Sequence, residues 1–322
     1  RFASWTQPSP DQPTLPSHQF WNRREALSLF PALNPDIVCA ASYYDGAMAT
    51  PERLALELLL DGLTVGDGES LACNYLALQP TAARSPAVVR DELTGETFEV
   101  RARVIINAAG PWIDQANEQL GTPTEAIGGS KGSHVLVRHA ELRTAIGDCE
   151  FFFENRDGRI VLMYPWFDRV LVGTSDIPIS DPDNAQCTDE EIEYFLSMIQ
   201  IVFPKIQVQK TDIVFRYTGV RPLPNSATSR SGKMGQVSRD HSIHVLRDAG
   251  QPPVFCLVGG KWTTFRAFAE AAADKVLHEL GHERRASTAD LPIGGGADFP
   301  KANQRETWLD TRVRFFEIPR DQ

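Results

Sequence analysis

The sequence predicts an α/β fold in which a largely antiparallel sheet accompanies a smaller set of buried strands. Two continuous apolar runs, at residues 104–106 and 254–258, are typical of strands covered on both faces, and each runs directly into a turn of small residues. Between residues 131 and 258, short β-branched or aromatic segments alternate with turn residues, which is the pattern of an antiparallel sheet.

Composition limits the classes of function. The 322 residues suffice for one large or two medium domains, and 42% hydrophobic with 23% charged residues is ordinary for a globular protein. The net charge of −10 argues against a nucleic-acid partner, whereas a phosphorylated small molecule needs only a few local cations. No apolar run reaches the length of a membrane span. The five cysteines form no CxxC pair, which suits a reducing compartment such as the cytoplasm.

Local signals place the individual elements. A helix is expected at residues 24–30, and a second begins after Thr50 as N-cap and ends at Gly62. The pair Thr188 and Glu191 forms a capping box for a third helix that runs to about residue 202. A last helix covers residues 263–280. The expected strands are residues 73–78, 87–92, 97–100, 104–106, 133–137, 159–164, 170–174, 212–217, 242–246 and 254–258, with a hairpin joining the second and third.

The strongest local motif follows the last strand, where Gly259-Gly260-Lys261 leads through Thr263 and Thr264 into a helix. A strand–glycine–helix turn aims backbone amides and the positive end of a helix dipole at one point, and Lys261 adds a full charge. Such a site suits a delocalised anion, for example the N1–C2=O edge of a reduced flavin. The alternative is an ordinary turn with Thr263 as a cap.

A second turn of small residues, 107–112, ends the strand at 104–106 and contains Gly110. Ligands of open α/β sheets gather beyond the carboxyl ends of the strands, so this turn is a candidate ligand contact. By itself it is better explained as a tight connection to a helix.

Three side chains in the antiparallel region are candidates for substrate chemistry. Arg221 and Arg239 have guanidinium groups that bind phosphate bidentately, although a single arginine is more often paired on the surface. His134 stands on an alternating strand and titrates in the range needed to take a proton from a hydroxyl, although such a histidine is often structural. His241 and His244 point to opposite faces of a strand, so no metal site is predicted.

Taken together, these segments resemble the FAD-dependent glycerol-3-phosphate dehydrogenases, within the D-amino-acid-oxidase-like flavoenzymes. The resemblance covers residues 20 to 295, and eight short motifs occur in the family's order. The matching motifs are Tyr43-Tyr44-Asp45-Gly46, Asn107–Trp112, Lys131-Gly132-Ser133-His134, Tyr164-Pro165-Trp166-Phe167-Asp168, Val172-Gly173-Thr174-Ser175-Asp176, Gly219-Val220-Arg221-Pro222-Leu223, Ser238-Arg239-Asp240 and Gly259–Arg266.

The resemblance implies roles for these positions. Lys261 and the Thr263–Thr264 turn would face the flavin with Gly259 and Gly260, and Gly110 would lie near it. Arg221 and Arg239 would hold the substrate phosphate, and His134 would lie close to the reacting carbon. The roles implied are catalytic for His134, Lys261 and Arg221, and substrate-binding for Arg221, Arg239 and Lys261. Those implied to bind FAD are Gly110, Gly259, Gly260, Lys261, Thr263 and Thr264.

The implied reaction transfers a hydride from C2 of sn-glycerol 3-phosphate to flavin N5 and yields dihydroxyacetone phosphate. Electrons would continue to a quinone or, in the oxidase branch, to oxygen. Family members attach peripherally to a membrane, so the resemblance implies that the full-length form is cytoplasmic and peripheral to the inner membrane. The resemblance also implies a Rossmann-like FAD-binding domain of the D-amino-acid-oxidase type with an inserted antiparallel substrate domain. The expected segments are 1–40 (lead-in and substrate-domain segment), 41–127 and 251–282 (FAD-binding domain), 128–250 (substrate domain) and 283–322 (start of a C-terminal extension).

The sequence also departs from the family pattern. Its one G-x-G, Gly66-Asp67-Gly68, has Leu71 at the third glycine position and opens no helix after a buried strand, so no diphosphate-binding loop is found. The FAD-binding domain is therefore expected to be incomplete and to retain FAD weakly or not at all. Two alternatives stay open: a non-catalytic phosphate-binding remnant, and an FAD-dependent amine or hydroxyacid oxidase of the same fold.

Overall fold

The computed structural model describes residues 16–48, 50–81, 83–154, 160–225 and 240–316. These residues form two compact units. The larger unit comprises the described residues up to Asp45 together with Ala77–Glu283, and the smaller comprises Gly46–Leu76 with the described residues from Arg284 onward. The candidate site residues that the structure describes belong to the larger unit.

Seven helices and fourteen strands are described in these ranges. The helices are α1 (Arg23–Leu29), α2 (Pro51–Val65), α3 (Ile113–Gln119), α4 (Ala140–Ile146), α5 (Asp189–Val202), α6 (Phe265–Glu279) and α7 (Arg305–Phe316). The strands are β1 (Gln19–Asn22), β2 (Cys39–Ser42), β3 (Leu76–Leu78), β4 (Ala87–Asp91), β5 (Thr97–Val100), β6 (Ile105–Asn107), β7 (Ile127–Val137), β8 (Phe151–Glu154), β9 (Ile160–Trp166), β10 (Arg169–Gly173), β11 (Ile177–Pro178), β12 (Ile213–Pro224), β13 (Ser242–Leu246) and β14 (Val254–Val258).

The main sheet is built around β7, the long central strand of six. One edge of β7 pairs with β12 along its whole length, and the other edge pairs with β11 and then with β10, all antiparallel. Strands β9 and β8 continue the sheet beyond β10. The predicted antiparallel sheet is confirmed, and it is the platform on which the candidate substrate residues stand.

The core of the larger unit lies on one face of this sheet. Alternate residues of β7 and β10, such as Val135 and Val172, are fully buried and pack with Phe195 and Ile199 of α5 and with Leu142 of α4. Because successive strand residues point to opposite faces, the intervening positions of β7, β10 and β12 belong to the face that this core does not cover. Burial of each such large side chain contributes about 1.5–3 kcal/mol.

A smaller sheet has the order β13–β14–β6, with β14 parallel to β6 and antiparallel to β13. Its apolar strand β14 packs on Ile113 of α3 and on Leu120, the C-cap of α3, in a second core cluster. A third sheet contains β3, β4 and β5, and the predicted hairpin between residues 87 and 100 is confirmed.

Several predicted boundaries are confirmed and others are wrong. The Thr188–Glu191 capping box starts α5 as expected. Helix α2, however, continues through Gly62 to Val65, because a glycine inside a helix costs only about 1 kcal/mol and Gly66 caps the end. Strands β7 and β12 extend far beyond the expected 133–137 and 212–217. Their glycine-rich segments look like turns, yet they pair with each other in register.

The smaller unit places α2 beside residues 294–298, where the Gly294 amide donates a 3.0 Å hydrogen bond to Asp61. None of the helices in the described ranges is both long and apolar enough to cross a lipid bilayer.

Candidate functional site

A sharp turn joins β14 to α6. Gly259 and Gly260 have φ angles of 77° and 98°, in the left-handed region that favours glycine. A Cβ on Gly259 would lie 2.6 Å from the carbonyl oxygen of Asp240, and one on Gly260 would lie 3.3 Å from the Phe268 ring. Backbone conformation and available space therefore both require glycine at residue 259, and conformation requires it at residue 260.

Lys261 follows these glycines and begins a single 3-10 turn, Trp262–Thr264, that leads into α6. Its side chain is exposed, and within the described part of the chain its ammonium group forms no ion pair. The Lys261 amide donates a 3.3 Å hydrogen bond to the Thr264 hydroxyl. A ligand at this turn would therefore meet the lysine charge, whereas the Lys261 amide is already engaged.

The turn that contains Gly110 lies at the same edge of the small sheet. Strands β6 and β14 are parallel with Asn107 opposite Cys256, so their carboxyl ends lie side by side and both turns project from that edge. The buried Asn107 side chain donates a 2.8 Å hydrogen bond to Asn117 of α3 and thereby fixes the start of the turn. Gly110 has a φ of 58°, with open space where a Cβ would stand. The structure thus brings Gly110 and Gly259 to one sheet edge.

His134 and Arg221 lie on one face of the main sheet, opposite to the face that carries the core. His134 of β7 pairs directly with Tyr217 of β12, and Gly132 pairs with Gly219. Arg221 follows two residues after Gly219 and therefore lies on the same face. A Cβ on Gly219 would meet nothing within 4 Å, so there is open space between Tyr217 and Arg221.

The His134 imidazole is half-buried and held flat. It stacks on the Tyr217 ring at a centroid distance of 5.1 Å and an interplanar angle of 11°. Its Nδ1 atom is buried and has no hydrogen-bond partner among the described residues. Burial, and then the nearby positive charge of Arg221, lower the pKa of His134 from 6.5 to about 4. The ring is therefore neutral near pH 7, with a nitrogen that lacks a partner.

The Arg221 guanidinium is clamped by the segment that follows β10. Nη2 donates to the Thr174 hydroxyl at 2.9 Å, and Nη1 donates to the Ser175 carbonyl at 3.3 Å. Asp176 lies 3.4 Å from Nη1 and completes a partly buried ion pair. A Cβ on Gly132 would lie 2.5 Å from Nη2, so this glycine provides the space for the guanidinium. Arg221 is held in a defined orientation by these contacts.

The structure supports the sequence-derived candidates unevenly. Arg221 and His134 lie close enough together for the arginine charge to shift the histidine pKa. Strand β12, which carries Arg221, contacts both β14 and the turn Gly110–Trp112. Arg239 lies outside the described residues. The structure also adds contacts that the sequence did not assign. Thr174, Ser175 and Asp176 lie within a matching motif and Tyr217 ends an expected strand, but none of them carries a chemical signal of its own in the sequence.

Comparisons with known proteins define the family. The DAO family, described as FAD dependent oxidoreductase, matches residues 4–274. The glycerol-3-phosphate dehydrogenase of Synechocystis sp. is 30% identical over 308 residues, covering 89% of this chain and 54% of the relative. The aerobic glycerol-3-phosphate dehydrogenase of Escherichia coli is 32% identical over 208 residues, covering 63% and 40%. The chain thus spans about half the length of the curated relatives it matches.

Solved structures show the same fold. The glycerol-3-phosphate dehydrogenase from Bacillus halodurans complexed with FAD superposes with a TM-score of 0.73 at 22% identity, over 94% of this chain and 58% of that protein. Glycine oxidase from Geobacillus kaustophilus gives a TM-score of 0.53 at 17% identity, over 85% and 65%. At these identities the likeness establishes the fold alone. The family match over most of the sequence and the shared fold lead to one conclusion: the chain belongs to the FAD-dependent oxidoreductase family.

Proposed function

We propose that the chain serves the FAD-dependent oxidation of sn-glycerol 3-phosphate to dihydroxyacetone phosphate, as the names of its relatives suggest. The observation that carries the proposal is the pairing of an oriented Arg221 guanidinium with a neutral His134 on one open sheet face. An anion anchor beside a proton acceptor is what a phosphorylated secondary alcohol requires.

The residues at the edge of the small sheet fit the flavin ring of FAD. Gly110 leaves open space beside the backbone there, and Lys261 offers a positive charge without an acidic partner among the described residues. Thr263 and Thr264 would line the same turn with Gly260. FAD, when bound, supplies the hydride acceptor for the reaction. The diphosphate part fits less well, because no G-x-G-x-x-G follows a buried strand in this sequence.

The phosphate ester would bind at Arg221, with Arg239 as the second expected cation. The Thr174–Asp176 segment holds the Arg221 guanidinium in place before any ligand arrives, so little ordering is needed on binding. Charge-assisted hydrogen bonds from a guanidinium are about twice as strong as neutral ones. This anchor would favour glycerol 3-phosphate over glycerol.

His134 would accept the proton of the C2 hydroxyl. Its ring is neutral at physiological pH, as a proton acceptor must be. A bound phosphate would offset the Arg221 charge that contributes to the low pKa of His134. Substrate binding would therefore make the imidazole a better base at the moment it is needed. Lys261 would stabilise negative charge near the flavin.

The proposal also covers the electron acceptor and the cellular location. A quinone is the expected acceptor, and attachment would be peripheral, at the cytoplasmic side of the inner membrane. The resemblance supports these two statements.

Product formation and ligand-dependent stability test the proposal together. The protein is incubated with FAD, an artificial quinone and either sn-glycerol 3-phosphate, lactate or glycine, and its thermal midpoint is measured with each. The proposal predicts that dihydroxyacetone phosphate is formed and that the thermal midpoint rises with sn-glycerol 3-phosphate, and that neither lactate nor glycine is oxidised or raises the midpoint. Oxidation of lactate or glycine instead would favour the oxidase alternative. A midpoint raised by glycerol 3-phosphate without turnover would favour a non-catalytic phosphate-binding module.

A further inference from the structure

A buried polar cluster lies behind the segment that clamps Arg221. At its centre is Glu191, only 4% exposed, whose Oε2 accepts hydrogen bonds from the Thr188 amide at 2.8 Å and from Lys131 at 2.7 Å. Its Oε1 accepts a 2.5 Å hydrogen bond from the Ser175 hydroxyl. Glu191 thus joins the start of α5 to β7 and to the segment after β10.

Ser175 connects this cluster to Arg221. Its side chain is fully buried, and its hydroxyl oxygen also accepts a 2.9 Å hydrogen bond from the Ser133 amide. The carbonyl oxygen of the same residue accepts from Arg221 Nη1 at 3.3 Å. One residue is therefore fixed by its side chain within the buried cluster and contacts the guanidinium with its backbone.

Helix capping alone does not explain this arrangement. A capping-box glutamate needs to reach only its own N-cap amide, and it is usually solvated. Burying a carboxylate with an ammonium group carries a desolvation cost that often equals the Coulombic gain. Burial alone would raise the pKa of Glu191, but hydrogen bonds from Lys131, Ser175 and the Thr188 amide outweigh it and lower this pKa. The Glu191 carboxylate is thus kept charged, and it fixes the relative positions of Lys131, Ser175 and the Thr188 amide.

We propose that Glu191 and Ser175 are positioning residues for Arg221: the buried carboxylate holds Ser175, and Ser175 holds the guanidinium towards the open sheet face. This inference rests on the proposed function insofar as Arg221 binds an anion. It assigns a role in substrate recognition to residues that do not themselves face the substrate.

The test compares Ser175→Ala with wild type in two measurements. The first is the pKa of His134 from a proton NMR titration of the intact chain, with the His134 signal assigned from a His134→Phe variant. The second is the affinity for sn-glycerol 3-phosphate by calorimetry. A guanidinium released from its clamp moves away from the histidine, so the part of the pKa lowering that Arg221 causes is lost. The pKa of His134 then rises from about 4, while the larger effect of burial remains. Affinity falls by about tenfold, the effect of one weakened charge-assisted contact.

Thr218→Val is the matched control. The Thr218 hydroxyl is hydrogen-bonded to the Ser133 hydroxyl at 2.8 Å in the same sheet, and it makes no direct hydrogen bond to Thr174–Asp176 among the described residues. This variant loses a hydroxyl from the sheet and is expected to leave both measurements unchanged. If Ser175→Ala does not fold, Ser175→Cys keeps the side-chain size with a weaker donor, and the same two changes are expected in smaller measure.

The outcomes separate this inference from the proposed function. Arg221→Ala should weaken binding of sn-glycerol 3-phosphate about 10- to 100-fold. If it binds as wild type does, the phosphate assignment fails, and the pKa of His134 alone then decides the inference. A folded Ser175 variant with wild-type values in both measurements overturns the positioning role. A change of equal size in Thr218→Val overturns it as well, because the effect would then be a general one of lost hydroxyls.

Discussion

Gly173 lies directly opposite His134 in the main sheet, and a Cβ on Gly173 would come within 2.2 Å of the imidazole Cδ2. The histidine ring occupies the space that any other residue at position 173 would need. Because the opposite side of the ring stacks on Tyr217, the imidazole is confined between two neighbouring strands. Glycine at residue 173 therefore provides the space that the His134 ring occupies.

Replacement of Gly173 by alanine should displace the His134 ring. Crowding of this kind costs about 1–3 kcal/mol in free energy of unfolding, to be measured by chemical denaturation. Gly219→Ala is the control, because a Cβ there meets nothing within 4 Å and stability should hardly change. Equal stability of Gly173→Ala and wild type would contradict the packing described for His134.

Acidification should destabilise the fold through His134. Its pKa is about 4 in the folded protein and ordinarily 6.5, so between these values the unfolded chain binds a proton that the folded chain does not. Stability is therefore lost as pH falls from 6.5 to 4, by up to ~3 kcal/mol from this residue. In His134→Phe, which keeps a flat ring, the loss of unfolding free energy across this window should be smaller. An unchanged pH dependence would show that His134 titrates normally.

Much of the fold was predictable because the local signals agree with tertiary structure. Strands β13 and β14, the hairpin of β4 and β5, and the capping box of α5 follow from apolar runs, a turn and a cap. The failures concern glycines. Gly132 and Gly219 look like turn residues, yet they face each other inside the longest strand pair, where they make room for Arg221 and leave open space.

The candidate site was predictable only in part. His134 and Arg221 carry recognisable chemistry, and the structure places them on one face. The clamp around Arg221 was not predictable. The Thr174 hydroxyl and the Ser175 carbonyl reach Arg221 only because the fold brings the segment after β10 close to β12. The cluster around Glu191 was not predictable, because a capping box already accounts for a glutamate at this position in the sequence.

The turn after β14 should tolerate no side chain at residue 259. Gly259→Ala combines a positive φ with a contact of 2.6 Å to the Asp240 carbonyl, whereas Gly281→Ala after α6 has a positive φ and free space. The φ penalty alone is about 1–2 kcal/mol. Chemical denaturation should therefore show a loss of about that size for Gly281→Ala and a larger loss for Gly259→Ala. The reverse order would contradict the turn geometry.

Removal of the Lys261 charge should disfavour the reduced cofactor. If its ammonium faces the flavin, Lys261→Met weakens binding of reduced FAD more than that of oxidised FAD, so the midpoint potential of the flavin-loaded protein falls. Lys275→Met, on an exposed position of α6, is the control and should leave the potential unchanged. Equal midpoint potentials in Lys261→Met and Lys275→Met would show that the Lys261 ammonium does not interact with the flavin.

Calorimetric titration of sn-glycerol 3-phosphate and of glycerol into wild type, Arg221→Ala and Arg216→Ala tests the central assignment most directly. Arg216 lies on the same strand but pairs with Val135, on the core-facing side, and forms an exposed ion pair with Asp189. The assignment of Arg221 as the phosphate anchor predicts binding of the phosphate ester but not of glycerol. It also predicts an affinity reduced about 10- to 100-fold in Arg221→Ala and wild-type affinity in Arg216→Ala. Equal affinity of wild type and Arg221→Ala for glycerol 3-phosphate would contradict it.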